Sequence, residues 1–541
     1  MPALSSGASS MAHGPASIKQ RLSVSYKRLL VALAASACLY AFYIAGISGN
    51  PPGFYLDESS IAYNAYLMAR TGVSEEGVAW PLYVRSYTGL FSVYANPTYI
   101  YLLAAVYLFS PASILAARLL SASLGFAAAL CLGLLAWRIS GRRMIGVIVA
   151  LIAMLTPWLF EVSRLVFEVA LYPLALALCL LALYRARERW SWADCALVAA
   201  SLGLLAYSYT IGRLFAPLLA LGLLLFARSR PAFIGVLKTW LLFGLTLLPL
   251  FIFNRRHPGL LTERFYLISY IKPESTWGRI IPEFISHYFD NLSLYSLLLA
   301  GDPNPRHHVA GMGSFLAPVL ALSLFGIYLV LKYRWRESWW RFILYGLVIS
   351  PVSASLTLDQ FHTLRMIPYP VFLIVLVIPA LQRLIEGKAV RPPVTTKKKK
   401  AKKKPEPEPA PQLSFPSLLA QRKVLLGILA LTLAQALYFQ YQFHRDGPGR
   451  GAAFDAGYLD LYREAVAQPA RPIYLVDGMW GPAYIHAFWY ATIDGRGTSD
   501  FVHLDYGQRP PPGALVISSE DKCARCQIIL KREQYLLYRA L

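Results

Sequence analysis

Apolar runs long enough to cross a bilayer recur along this chain, and every second loop between them is basic. A helix needs ~20 mostly apolar residues to span the hydrocarbon layer. Leu29–Ile47 is the first such run. Ten more follow: Ala112–Trp137, Met144–Phe160, Val169–Tyr184, Cys195–Tyr209, Leu214–Phe226, Phe233–Phe253, Ser314–Leu331, Phe342–Leu356, Ile367–Leu381 and Val424–Phe439. Charged residues make up 15% of the chain and hydrophobic ones 56%, whereas a soluble chain carries roughly 25% charged. That charge density cannot cover a water-soluble globule of 541 residues. Disorder, collagen and coiled coil need polar or strictly periodic sequence and are excluded. The expected fold is an all-α polytopic membrane protein with about eleven transmembrane helices.

The loop charges test the orientation. Lys19, Arg21, Lys27 and Arg28 precede the first run, which places its N-terminus in the cytoplasm. No clean small-residue cleavage site follows that run, so it reads as an uncleaved anchor rather than a signal peptide. Crossing alternately from there, the cytoplasmic loops hold Arg138, Arg142 and Arg143; Arg185, Arg187 and Arg189; Arg228 and Arg230; Lys332, Arg334 and Arg336; then Arg383 and the lysine run Lys397–Lys404. Each of these loops is basic. The net charge of +23 is thereby assigned to membrane orientation, and no nucleic-acid partner is expected. Tyr99–Phe109 is apolar but too short to span, so Asn96–Ser110 is expected as a helix in the outer interface. The expected organisation is a cytoplasmic tail over 1–28, a transmembrane domain over 29–386, a cytoplasmic Lys/Pro-rich linker over 387–423, a last transmembrane helix over 424–439 and an extracytoplasmic domain over 440–541. The linker is low in complexity and suited to anionic lipid. Outer loops fall at 48–111, 161–168, 254–313 and 357–366.

The tail reads as a small α/β domain, with strand-like runs Pro472–Asp477 and Ala514–Ser519, a helix-like stretch between them, and a further strand from Gln534–Leu541. Cys523 and Cys526 form a lone C-x-x-C there. A zinc site would need more ligands than nearby His503, so a local disulfide is favoured over free thiols.

Candidate chemistry collects in the outer loops. Asp57 and Glu58 lie in GFYLDESSIAYNAY, whose apolar residues suggest an amphipathic helix on the membrane. Asp57 is a candidate catalytic carboxylate and, equally, a candidate helix cap. Glu58 and Tyr63 are candidate substrate contacts. Glu161, Arg164 and Glu168 share a helical face, either as an ion network or with Glu168 as a functional acid at the mouth of a span. AGDPNPRHHVAGMGSF groups Asp302, Arg306, His307 and His308, a loop suited to anion binding, metal ligation or plain solvation. LDQFHTLRMIPYPVF places Asp359, His362 and Arg365 before a span. Arg365 suits a lipid phosphate or simple snorkelling, and His362 is a further substrate contact.

This ordered set resembles the GT-C glycosyltransferases, particularly the bacterial protein-mannosyltransferase-like and aminoarabinose-transferase-like members, over roughly residues 25–385. The resemblance implies a polyprenyl-phosphate sugar as donor and transfer on the outer face of a cell membrane, to a hydroxyl of a lipid, glycan or protein acceptor. It implies that Asp57 and Glu168 are catalytic and that Arg365 lies near the donor phosphate. Relatives often carry Lys where this chain has Asn96, so phosphate binding is expected from Arg85, Arg306 or Arg365. The leaving phosphate gains charge as the glycosidic bond breaks, which cations or a divalent ion (Mg, Mn or Zn) would stabilise. Glu168 and His307 are the candidate metal ligands. Two other classes compete. A transporter or lipid flippase is expected to show inverted repeats and midplane charges, and neither is visible. A non-catalytic envelope assembly protein leaves the Asp57–Glu58 placement unexplained.

Overall fold

The ends of the helices follow local chemistry. In the computed structural model, residues 30–87, 93–387, 418–479, 481–520, 522–523 and 525–541 are described. The expected tail over 1–28 and nearly all of the linker over 387–423 fall outside them. Helix α1 (Leu30–Tyr43) is apolar and belongs to a unit of its own ending at Ala45.

The second unit runs from Gly46 to Leu541. It opens with α2 (Leu56–Thr71), a short hairpin of β1 (Val84–Arg85) and β2 (Tyr94–Ala95), and α3 (Pro97–Phe109). Next come α4 (Ile114–Ser140), α5 (Arg143–Leu155), α6 (Pro157–Val162), α7 (Tyr172–Ala186), α8 (Trp192–Ser208), α9 (Gly212–Leu221), α10 (Arg230–Thr246) and α11 (Leu248–Arg256). The long loop holds α12 (Glu263–Ile268) and α13 (Trp277–Asp290). It is followed by α14 (Ala317–Leu329), α15 (Ser338–Ile349), α16 (Val352–Ser355), α17 (Pro368–Glu386) and α18 (Leu418–Asp446). Ser113 caps α4 by accepting from the Ala116 amide, and Gly141 ends it in the left-handed conformation. The expected run Met144–Phe160 is broken because Pro157 disfavours helix at Thr156, which is extended.

Each expected run contains helix, and Phe342–Leu356 is also broken, between α15 and α16. Among the described residues, six helical stretches are long and apolar enough to cross a membrane: Ile114–Ser140, Glu168–Ala186, Arg230–Arg256, Ala317–Arg334, Pro368–Glu386 and Leu419–Phe454. Small residues let helices approach closely. A Cβ on Gly133 would lie 2.7 Å from the Gly146 carbonyl oxygen, between α4 and α5, and one on Gly326 would lie 1.7 Å from the Leu376 oxygen, between α14 and α17. Helix α13 buries no residue and leaves Trp277, Ile281, Ile285 and Phe289 exposed on one face.

The C-terminal domain contributes α19 (Tyr458–Ala467), α20 (Tyr484–Ile493) and strands β3 (Ile473–Val476), β4 (Phe501–Leu504), β5 (Leu515–Ser518), β6 (Cys526–Arg532) and β7 (Tyr535–Ala540). Their order is β4-β3-β5-β7-β6. β3 is parallel to β4 and β5, whereas β7 is antiparallel to β5 and β6. Cys523 and Cys526 are joined as a disulfide. Helix α20 lies against α2, and the two share a core containing Phe54, Ile61, Tyr63, Trp489 and Ile485. This corrects the expected membrane-surface position of α2. Its apolar residues are covered by α3 and by the C-terminal domain, so Ser59, Ser60 and Asn64 are buried as fully as Ala62.

Candidate active site

The first loop reaches the head of α2 with its amides already satisfied. The Tyr55 amide donates to Glu58 Oε2 at 2.9 Å, and the Leu56 amide donates to Asp455 Oδ2 at 3.1 Å. Capping therefore falls to Glu58 and Asp455, and Asp57 is left for other work. The Tyr87 hydroxyl donates to Asp57 Oδ1 at 3.2 Å. Burial first, then the Asp57 charge, pushes the Tyr87 phenol well above its ordinary range, so it stays a protonated donor.

Glu58 is fully buried. Its Oε1 accepts from the Val166 amide at 2.9 Å, and Arg118 Nη2 lies 3.7 Å from Oε2. Arg118 also donates to the carbonyls of Pro51 and Gly53 at 2.6 and 2.7 Å. The pair staples the first loop to α4 and to the second loop. A carboxylate occupied in this way does not reach a substrate, which corrects the expected contact.

Glu168 opens the short 3-10 turn before α7. Both of its oxygens are held by Asn96: the Asn96 amide donates to Oε1, and Asn96 Nδ2 donates to Oε2 at 2.6 Å. Nδ2 also reaches Thr210 Oγ1 at 3.2 Å, and Arg213 Nη2 donates to Asn96 Oδ1 at 3.0 Å. The position where relatives often carry Lys thus holds an amide that clasps Glu168, with Arg213 supplying the cation behind it. Glu161 goes elsewhere. It accepts from the Val309 amide at 2.8 Å and pairs with His308 Nδ1 at 2.5 Å. Burial lowers the His308 pKa, but Glu161 outweighs burial and raises it overall.

Arg264, on α12, was not anticipated. It keeps accessible surface while protein surrounds it. Burial pulls its pKa down, but the nearby negative charge, Asp57 first, then Tyr87, Tyr209 and Glu168, pushes it up by more. Arg365 donates from Nη1 to Thr357 Oγ1 at 2.7 Å and pairs with Asp359. Tyr209, following α8, sits amid Arg365, Arg264, Glu168 and Asp57. The fold therefore gathers three of the expected residues, Asp57, Glu168 and Arg365, and adds Arg264, Tyr87 and Tyr209. No signal in the sequence singled out Arg264: Glu263 precedes it, and the same loop carries Arg255, Arg256, Lys272, Arg279 and Arg306.

The other expected residues lie apart. Arg85 pairs with Glu76 at 2.9 Å, and Tyr63 packs on Phe488 of α20 with ring centroids 5.8 Å apart. Arg306 lies 4.1 Å over the Tyr55 ring, in the wall of a cleft of about 640 Å3 that is also lined by Asp455, Tyr506, Glu520 and Lys522. Tyr55, which also lines that cleft, has Asp57 and Arg306 among the charges that act on it. His307 falls in a group with Asp302 and His362, of which Glu168 is not a member. The expected pairing of Glu168 with His307 around one ion is therefore not formed among the described residues.

The chain thus combines a helical membrane body, a small α/β domain and a group of carboxylates and arginines at the loop ends of the helices. Two solved structures carry the same fold. ArnT from Cupriavidus metallidurans bound to undecaprenyl phosphate is 12% identical, with a TM-score of 0.55, over 95% of this chain and 98% of that one. The apo state of the same protein gives a TM-score of 0.56 at 12% identity and the same coverage. No family model and no curated protein matches the chain. The fold is GT-C.

Proposed function

We propose that this protein transfers a sugar from a polyprenyl-phosphate donor to an acceptor hydroxyl at the extracytoplasmic face of a membrane. The observation that carries the reading is that Asp57, held by the Tyr87 hydroxyl, and Glu168, held by Asn96, lie within electrostatic reach of Tyr209 together with Arg264 and Arg365. The undecaprenyl phosphate bound by ArnT supports the donor class. The acceptor oxygen attacks the anomeric carbon as the bond from that carbon to the phosphate oxygen breaks, and the electron pair leaves with the phosphate. Asp57 takes the acceptor's proton. Arg264 and Arg365 meet the growing phosphate charge as preformed cations. Glu168 holds Asn96 and contributes to the field that keeps Arg264 charged.

The test is transfer in proteoliposomes with a panel of undecaprenyl-phosphate sugars. Asp57→Asn is expected to lower kcat by about 10²–10⁴-fold with donor binding retained, because the amide cannot accept the proton. Arg264→Gln is expected to weaken donor binding as well. Near-wild-type turnover by folded Asp57→Asn protein removes Asp57 from catalysis.

A further inference from the structure

Asp302, His307 and His362 bring one carboxylate and two imidazoles together from two loops, with a ligand-competent atom of each within 4.8 Å of the others. Asp302 and His307 are buried and His362 is partly so. Asp302 Oδ2 and His307 Nδ1 are 3.1 Å apart. Two ligands at ~2.0–2.1 Å from one tetrahedral ion stand about 3.3 Å apart, so this spacing already suits zinc. The imidazole rings of His307 and His362 lie 4.8 Å apart, tilted by 44°.

The carboxylate is held from behind. The Thr363 amide and hydroxyl donate to Asp302 Oδ2 at 2.8 and 2.7 Å, and the Asn304 amide donates to Oδ1 at 2.9 Å. Such outer hydrogen bonds fix the orientation of metal ligands. His308, next in sequence, is committed to Glu161 and to the Met312 carbonyl, so the loop separates one structural histidine from one available histidine.

We propose that Asp302, His307 and His362 form a Zn2+-type site with three protein ligands and one open position. Two imidazoles and one carboxylate favour a borderline ion over Mg2+ or Ca2+. On binding, the His307 hydrogen moves from Nδ1 to Nε2, and Nδ1 and Asp302 Oδ2 exchange their hydrogen bond for bonds to the metal. The open position is left for water or a phosphoryl oxygen. Among the described residues the other metal-competent group, Asp477 with His503 and Asp505, offers one imidazole only.

Metal content decides this without any transfer assay, so its failure and that of the glycosyltransferase reading are separable. Tag-free full-length protein in detergent is stripped with chelator and titrated with Zn2+ and Co2+. One tight Zn2+ per chain is expected, and X-ray absorption at the zinc edge should show two imidazoles and at least one oxygen. His362→Gln and His307→Gln should each weaken Zn2+ binding at least tenfold, whereas His503→Gln should leave it unchanged. A zinc shell with fewer than two imidazoles overturns the proposal in the wild-type protein, even if the variants misfold. So does failure to bind Zn2+, or retention of wild-type affinity by folded His362→Gln protein.

Discussion

Asp57 and Glu58 are adjacent in sequence and opposite in surroundings. Glu58 gives both oxygens to backbone amides and faces Arg118, with neither side chain exposed by more than 1%. Removing one member of such a buried pair leaves the other uncompensated, at a cost of roughly 3–5 kcal/mol. Glu58→Ala should therefore lower the melting temperature steeply, whereas Asp57→Asn should barely move it. Equal melting temperatures for the two variants would contradict this division. Glu75 makes a second residue-scale case. Burial, opposed by the Tyr484 hydroxyl and His503, pushes its carboxyl up to about 7. The folded protein then holds a proton that the unfolded chain releases near 4.5. The stability gained is present below the unfolded value and is lost as pH rises through about 7. Melting temperature should fall between pH 5 and pH 8, and Glu75→Gln should flatten that fall. Parallel curves for variant and wild type would assign the dependence to other groups.

Among the elements, the spanning helices were the most legible part of the chain, because a helix in hydrocarbon needs only length and apolarity. Helix α2 was legible as a helix but not in its environment. Its apolar residues read as a membrane-facing stripe because the surface that covers them, α20, lies more than 400 residues further along the chain. Strands β3, β5 and β7 appear as apolar runs, whereas β4 and β6 are edge strands with mixed sequences and gave no such signal. Helix contacts were not readable at all, although glycines mark where they occur. Gly326→Ala forces a methyl group into the Leu376 carbonyl, whereas a Cβ on Gly244 meets nothing within 4 Å. Overpacking of this kind costs typically 1–3 kcal/mol. Gly326→Ala should lower the melting temperature by several degrees and Gly244→Ala by little, as measured by thermal unfolding in one detergent. A larger loss from Gly244→Ala would argue against tight α14–α17 packing.

At the scale of the molecule, the loop charges make a topological prediction. Single cysteines at Arg306 and in the C-terminal domain should react with an impermeant maleimide from the extracytoplasmic side, and one at Lys400 should react only after permeabilisation. Reaction at Lys400 in sealed cells would separate the candidate residues from the compartment in which the donor is expected. Composition and the spacing of apolar runs determined by themselves that the chain is a helical membrane protein, and they led to the expectation that its candidate acids lie at the ends of helices opposite the basic loops. These are one-dimensional properties, fixed by bilayer thickness and by the cost of carrying charge through it. The family resemblance, rather than these properties, set Asp57, Glu168 and Arg365 apart from the other outer-loop candidates. Only the tertiary structure decided that Glu58 is a staple, that Asn96 clasps Glu168, that Arg264 completes the centre and that His307 faces His362. Each of these depends on where loops far apart in sequence meet, and a side chain's role is set by the partner it finds there.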